Sequence, residues 1–180
     1  MEWRRPYDTE DKDWWITHGT ELERAFLEEV APKLQLPFRW NPDKTHDPTL
    51  PDFLVGEELA DLKCQNTPFF KAYDLYNLDP ATTVTFNVKD YDRYLQRWPD
   101  MWVYFYVRWD TRSYKDGSRT IRVPFVHGVW RARIGRIREL VEAGRAPRHS
   151  YRRRQADRRG NARDSYLVSL EEIECVKRFK

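Results

Sequence analysis

The chain has 180 residues, of which 40% are hydrophobic and 15% aromatic, enough to bury a core and too apolar for a largely disordered protein despite 34% charged residues. It has no apolar run of membrane-span length, and its opening stretch MEWRRPYDTEDKDWW lacks the apolar core of a secretion signal. The formal net charge of +3 conceals an asymmetry, because between Gly144 and Asp164 eight arginines face two aspartates, so that segment carries +6 and the remainder −3. Cys64 and Cys175 form neither a CxxC pair nor a disulfide framework, as expected in a reducing compartment. One soluble, cytoplasmic domain over residues 1–180, with no membrane partner, is the expectation.

Thr20 and Glu23 have the spacing of a capping box and open a helix whose apolar stripe is Leu27, Val30 and Leu34, with Phe26 beside it and Pro37 at its exit. PFRW, DFLV and ELADLKC read as three strands, the last two joined tightly at Gly56-Glu57. In the third, Leu59, Asp61 and Lys63 share one face, and Ala60, Leu62 and Cys64 the other. A loop-rich connection follows, then a strand in TVTFNV and a short helix in KDYDRYLQRW that stops before Pro99. MWVYFYVRW (101–109) is apolar on both faces until Arg108, the pattern of a central strand covered on two sides. SRTIRVPFV suits a sheet edge, since Pro124 lacks a donor. VWRARIGRIRELVEAG reads as an amphipathic helix ending at Gly144, and SYLVSLEEIECVKRF as a strand and a final helix capped by Ser169 and Glu172. The alternation predicts an α/β (or α+β) class with a mixed sheet flanked by helices, and the order helix, three strands, helix, strand over residues 20–109.

The arginine segment GRAPRHSYRRRQADRRGNARD has almost nothing to bury. Arg148, Arg152, Arg153, Arg154, Arg158, Arg159 and Arg163 are candidates to hold a nucleic-acid backbone, because guanidinium groups grip phosphate oxygens in pairs. A solvated, self-repelling loop without a partner is the plainer alternative.

Asp52 and Asp61 stand at the ends of two adjacent predicted strands, where unpaired carboxylates are costly to bury. A divalent cation would neutralise them, and hard oxygen ligands suit Mg2+ or Mn2+ rather than zinc. Lys63, two residues on from Asp61, projects from the same face, where its ammonium could orient an attacking water. With its own pKa depressed it could instead take a proton. Such a set fits metal-assisted hydrolysis of a phosphodiester.

Pro51-Asp52 followed by Asp61-Leu62-Lys63 resembles the PD-(D/E)XK nuclease superfamily, which includes restriction endonucleases, Holliday junction resolvases and recombination exonucleases. The resemblance implies a restriction-endonuclease-like αβββαβ core and a Mg2+- or Mn2+-dependent DNA hydrolase, with metal held by Asp52 and Asp61 and water positioned by Lys63. It has motif support over about the first half of the chain. Superfamily members add a glutamate from the first helix, and GTELER (19–24) resembles the opening of archaeal-type junction resolvases, which points to Glu23 as ligand or ligand-positioner. Glu23 also heads the apolar stripe, whereas Glu21 faces Arg24 and Glu28; a cap is the alternative role for Glu23, and the choice between the two acids stays open. Gln65, on the Lys63 face, matches a position where the superfamily often carries a polar residue touching substrate or metal-bound water. RNA as substrate, a homodimer, and the choice among endonuclease, exonuclease and resolvase all stay open. The rival from another class is a nucleic-acid-binding or regulatory module that keeps the fold without the chemistry; a further rival treats the carboxylates as plain surface charges.

Pro42-Asp43 lies in the polar stretch NPDKTHDPTLP and suits a loop better than a catalytic strand. His18, His46, His127 and His149 have no metal-ligand spacing, Cys64 reads as packing, and no glycine-rich phosphate loop is present. Phe69 and Phe70 either plug the core beneath their loop or contact a splayed base.

Overall fold

A computed structural model describes residues 21–47, 49–151 and 164–180; Thr20, His18 and the arginines from Arg152 to Arg163 fall outside them. Helix α1 is α-helical over residues 21–25, passes through a π-helical turn, Phe26–Val30, and closes in a 3-10 turn, Ala31–Leu34. Pro32 has no N–H to continue an α-helical ladder, and Gln35, left-handed at φ 57°, ends the helix. Phe26, Val30, Ala31 and Leu34 form its buried side.

Three strands follow as an antiparallel meander, β1 (Phe38–Trp40), β2 (Phe53–Val55) and β3 (Glu58–Gln65), with a 3-10 turn, Pro42–Thr45, between the first two. Gly56, at φ +63°, makes the tight turn from β2 to β3 that Gly56-Glu57 predicts. A short helix α2 (Ala72–Tyr76) interrupts the connection expected to be loop, and β4 (Thr83–Asn87) and α3 (Val88–Arg97) follow. Then come β5 (Trp102–Arg108), the hairpin β6 (Ser113–Asp116) and β7 (Arg119–Arg122), β8 (His127–Arg133), α4 (Ile134–Glu142), β9 (Arg148–His149), β10 (Ser165–Ser169) and β11 (Glu174–Arg178).

Among the described residues the main sheet is mixed, six strands in the order β1-β2-β3-β5-β8-β11, and only the β3–β5 pair is parallel. β5 lies inside it, as its two apolar faces predict. Val103, Phe105 and Val107 pack towards α3, α4 and β4, whereas Tyr104 and Tyr106 pack with Phe26 and Leu34 of α1. A second, antiparallel sheet β4-β10-β9 and the β6–β7 hairpin complete the pairing. The chain is therefore mixed α/β with a mixed central sheet.

Several expectations are corrected. VWRARIGRIRELVEAG is not one helix: its first part is β8, paired on both sides, and the helix is confined to Ile134–Glu142. Val129 enters the core on one face of the sheet and Trp130 and Ala132 on the other, so cross-strand packing overrides a helical periodicity that the arginines leave ambiguous. The final helix is also absent. Ser169 Oγ accepts from the Glu171 N–H at 3.3 Å rather than from Glu172, a single 3-10 turn Leu170–Glu172 forms, and the chain continues extended as β11. Arg131 fixes that strand by donating from Nε and Nη2 to Glu174, both at 2.8 Å. TVTFNV is a strand, but of the second sheet, and the predicted edge strand around Thr120 pairs only within its hairpin, with Pro124 outside it.

Candidate active site

The site is built around a difference in strand length. β2 pairs with β3 only as far as Phe53↔Ala60, while β3 runs on beside β5 to Gln65. Among the described residues, the far half of β3 thus has an edge with no neighbouring strand, whose backbone groups need partners. Asp52, the residue before β2, supplies one: its Oδ2 accepts from the Leu62 N–H at 3.1 Å. Continued by one residue, the β2–β3 register sets Asp52 opposite Asp61. Both are buried, 6% and 4% exposed, so two carboxylates meet at this edge with little water to screen them.

On the opposite flank stands α3. Asp90, Arg93 and Tyr94, spaced i, i+3, i+4, turn one helix face to β3. Lys63 Nζ lies 2.8 Å from Asp61 Oδ2, donates to Asp90 Oδ2 at 2.9 Å and reaches the Tyr94 hydroxyl at 3.4 Å. Arg93 holds Asp90 from the other side at 2.8 Å. Asp61 Oδ2 is buried, and its close partner is the Lys63 ammonium in a 2.8 Å ion pair. Burial and the neighbouring Asp52 push the Asp61 carboxyl up to about 7, against the pull of Lys63 and Tyr94. Burial alone would lower the Lys63 ammonium, but Asp61, Tyr94 and Asp90 hold it well above the usual lysine range. These protein neighbours by themselves keep Lys63 a charged donor.

A third side is closed by a residue the sequence reading passed over. Lys44, from the 3-10 turn between β1 and β2, points its ammonium inward to an ion pair with Asp52 Oδ1 and lies 3.4 Å from Glu23 Oε2. Burial alone would lower its pKa, yet Asp52, Glu23 and Asp61 hold it above the ordinary range. Burial in turn holds the Glu23 carboxyl above its ordinary value despite Lys44. Glu23 is thus the α1 acid that faces the site, and Glu21 is exposed. Nothing in NPDKTHDPTLP marks Lys44, because a loop lysine ordinarily points to water. Asp90 and Tyr94 were detectable in principle as the polar side of a short helix placed next to β3.

The other candidates divide. The Gln65 amide is engaged with β4: Nε2 donates to the Thr85 carbonyl at 2.8 Å, and Oε1 accepts from the Thr85 N–H at 3.0 Å. Arg148 is paired with Asp164, its Nε donating to Oδ2 at 2.7 Å. Arg152, Arg153, Arg154, Arg158, Arg159 and Arg163 lie outside the described residues. Phe70 is core, stacked on Tyr114, and Phe69 packs on His149. His149 is bonded to the Tyr76 hydroxyl and His127 to that of Tyr106. The Cys64 thiol, pushed up by burial and the carboxylates, is packing rather than a nucleophile.

Among the described residues, no three His, Cys, Asp or Glu side chains are placed together to hold a metal ion. Asp52 and Asp61 come together, whereas Glu23 is joined to Asp52 through Lys44. The oxygens gathered here are all carboxylate, the type a hard cation takes, and each acid is met by an ammonium: Lys44 at Asp52 and Glu23, Lys63 at Asp61. Comparison of the chain with known protein families, with curated proteins and with solved structures gives no match.

Proposed function

We propose that this chain is a divalent-metal-dependent nuclease that hydrolyses DNA phosphodiester bonds. The observation that carries the reading is the meeting of Asp52 and Asp61 at the open edge of β3 with the Lys63 ammonium 2.8 Å from Asp61. The mixed central sheet is compatible with it: helix α1, the meander β1–β2–β3, then α3 and a strand β5 parallel to β3, follow in the element order expected of such a nuclease, with α2 and β4 in between.

In this reading Asp52 and Asp61 hold Mg2+ or Mn2+, and Glu23 completes or orients the ligand set. The ion would supply positive charge at the scissile phosphate. Lys63, kept protonated and tethered between Asp61 and Asp90, donates to the attacking water and fixes its position. Asp90 and Tyr94 position that lysine. Gln65 holds the β4 sheet against β3, so its contribution is to the shape of the site. The arginine segment after Gly144 would contact the DNA backbone, a contact that carries affinity and no sequence information.

One observation favours the rival binding module: the Lys44 ammonium already pairs with Asp52 and Glu23 without any metal. Both readings are tested by incubating the protein with supercoiled plasmid, linear duplex, single strand, a four-way junction and RNA, in Mg2+ or Mn2+ against EDTA. Metal-dependent cutting that Asp52→Asn abolishes is expected, and the preferred substrate selects the nuclease role. Nucleic-acid binding without cutting in any condition would transfer the assignment to the module.

A further inference from the structure

Lys44 occupies the position of a cation. Its turn is anchored to the site: the buried Asn41 donates from Nδ2 to the Pro51 carbonyl at 2.9 Å and accepts from the Asp43 N–H at 3.2 Å, and the Asn41 N–H meets the Asp52 carbonyl at 3.1 Å. Three residues later the Lys44 side chain, three-quarters buried, delivers its ammonium between Asp52 Oδ1 and Glu23 Oε2. Asp61 is met from the other side by the Lys63 ammonium, 2.8 Å from its Oδ2. Asp61 is itself buried, 4% exposed, and the neighbouring Asp52 adds to the negative charge there. Glu23, Asp52, Asp61 and Asp90 are opposed by Lys44, Lys63 and Arg93, so Lys44 is one of three cations set against four acids.

We propose that Lys44 is an internal, displaceable cation that competes with a divalent ion for Asp52, so that metal enters only as the Lys44 ammonium leaves. The inference rests on the nuclease reading of the site. An ammonium and a divalent ion drawn to the same Asp52 oxygen repel each other at contact distance, and a lysine on a turn can swing out with little change to the fold. The ammonium, once released, remains tethered at the mouth of the site, where the phosphate of an incoming nucleic acid gives it a new partner. Metal and substrate would then load together, and the DNA-free protein would hold metal weakly.

Mn2+ binding to the full-length, DNA-free protein tests this, measured by calorimetry and by the electron-spin signal of free Mn2+. Lys44→Met keeps the aliphatic stem and removes the charge, and at least a tenfold tighter Mn2+ affinity is expected. Lys44→Arg keeps the charge, and an affinity no tighter than the parent's is expected; circular dichroism confirms that each variant is folded. Equal affinities in the parent and Lys44→Met would overturn the proposal and leave the metal site standing. Absence of Mn2+ binding in all three proteins would overturn both the proposal and the nuclease reading beneath it.

Discussion

Replacing Asp61 by Asn should stabilise the metal-free protein at neutral and alkaline pH. Asp61 is buried beside Asp52, and its pKa rises from the ordinary 3.8 to about 7. The folded state therefore resists ionising this carboxyl while the unfolded chain does not. Below about pH 4 the acid is protonated in both states and no penalty exists. Between about pH 4 and 7 the unfolded state releases its proton first, so stability is lost progressively, and above about 7 the loss is complete. At about 1.4 kcal/mol per pH unit this displacement corresponds to roughly 4 kcal/mol. Asn mimics the protonated carboxyl but leaves Lys63 with Asp90 and Tyr94 as its remaining partners, so a realised gain of about 1–3 kcal/mol is expected, or about 3–10 °C in Tm for a chain of this size. Urea denaturation in EDTA at pH 4.5 and pH 8 reads it directly. A gain at pH 8 that largely vanishes at pH 4.5 supports the reasoning. An Asn variant less stable than the parent at pH 8, or a difference independent of pH, would show that Asp61 is not held ionised against its environment.

Gln65→Leu should destabilise by roughly 1–3 kcal/mol, because the Thr85 N–H and carbonyl lose their side-chain partners at the seam between the two sheets; unchanged urea stability with lost cleavage would instead make Gln65 a substrate contact. Gly128→Ala should cost about 2 kcal/mol or more, since the added Cβ would lie 2.6 Å from the Lys177 carbonyl oxygen and 2.8 Å from the Trp130 ring, forcing β8 and β11 apart; a Tm within a degree of the parent's would refute that packing. Changing Arg152, Arg153, Arg154, Arg158, Arg159 and Arg163 to Gln should weaken DNA binding and flatten its dependence on salt, and an unchanged salt slope would remove the segment from the interface.

The parts of this fold that the sequence reveals are those where local pattern and tertiary context agree. β5 announces itself because it is apolar on both faces, and the β2–β3 turn because Gly56 takes a positive φ between two short apolar runs. Asp61 and Lys63 are legible as two carriers of charge on one strand face, and Asp52 through its place just before the preceding strand. The C-terminal half is harder. β8 and β11 gain their identity from partners far away in the chain, and their sequences, VWRAR and ECVKR, carry enough helical spacing and charge to hide this. Lys44 is the sharpest omission. Its role depends on where a long flexible side chain ends, which no spacing rule encodes, whereas Asp90 and Tyr94 needed only the knowledge that α3 lies against β3.

Cleavage of DNA by the parent protein and by Lys63→Ala, in Mn2+ and in EDTA, with DNA binding followed on the same samples, tests the central claim most directly. The expected result is cutting by the parent in Mn2+ alone, its loss in Lys63→Ala, and undiminished binding by both. Cutting that survives the substitution, or that persists in EDTA, would contradict the assignment of the Asp52–Asp61–Lys63 edge as the catalytic centre.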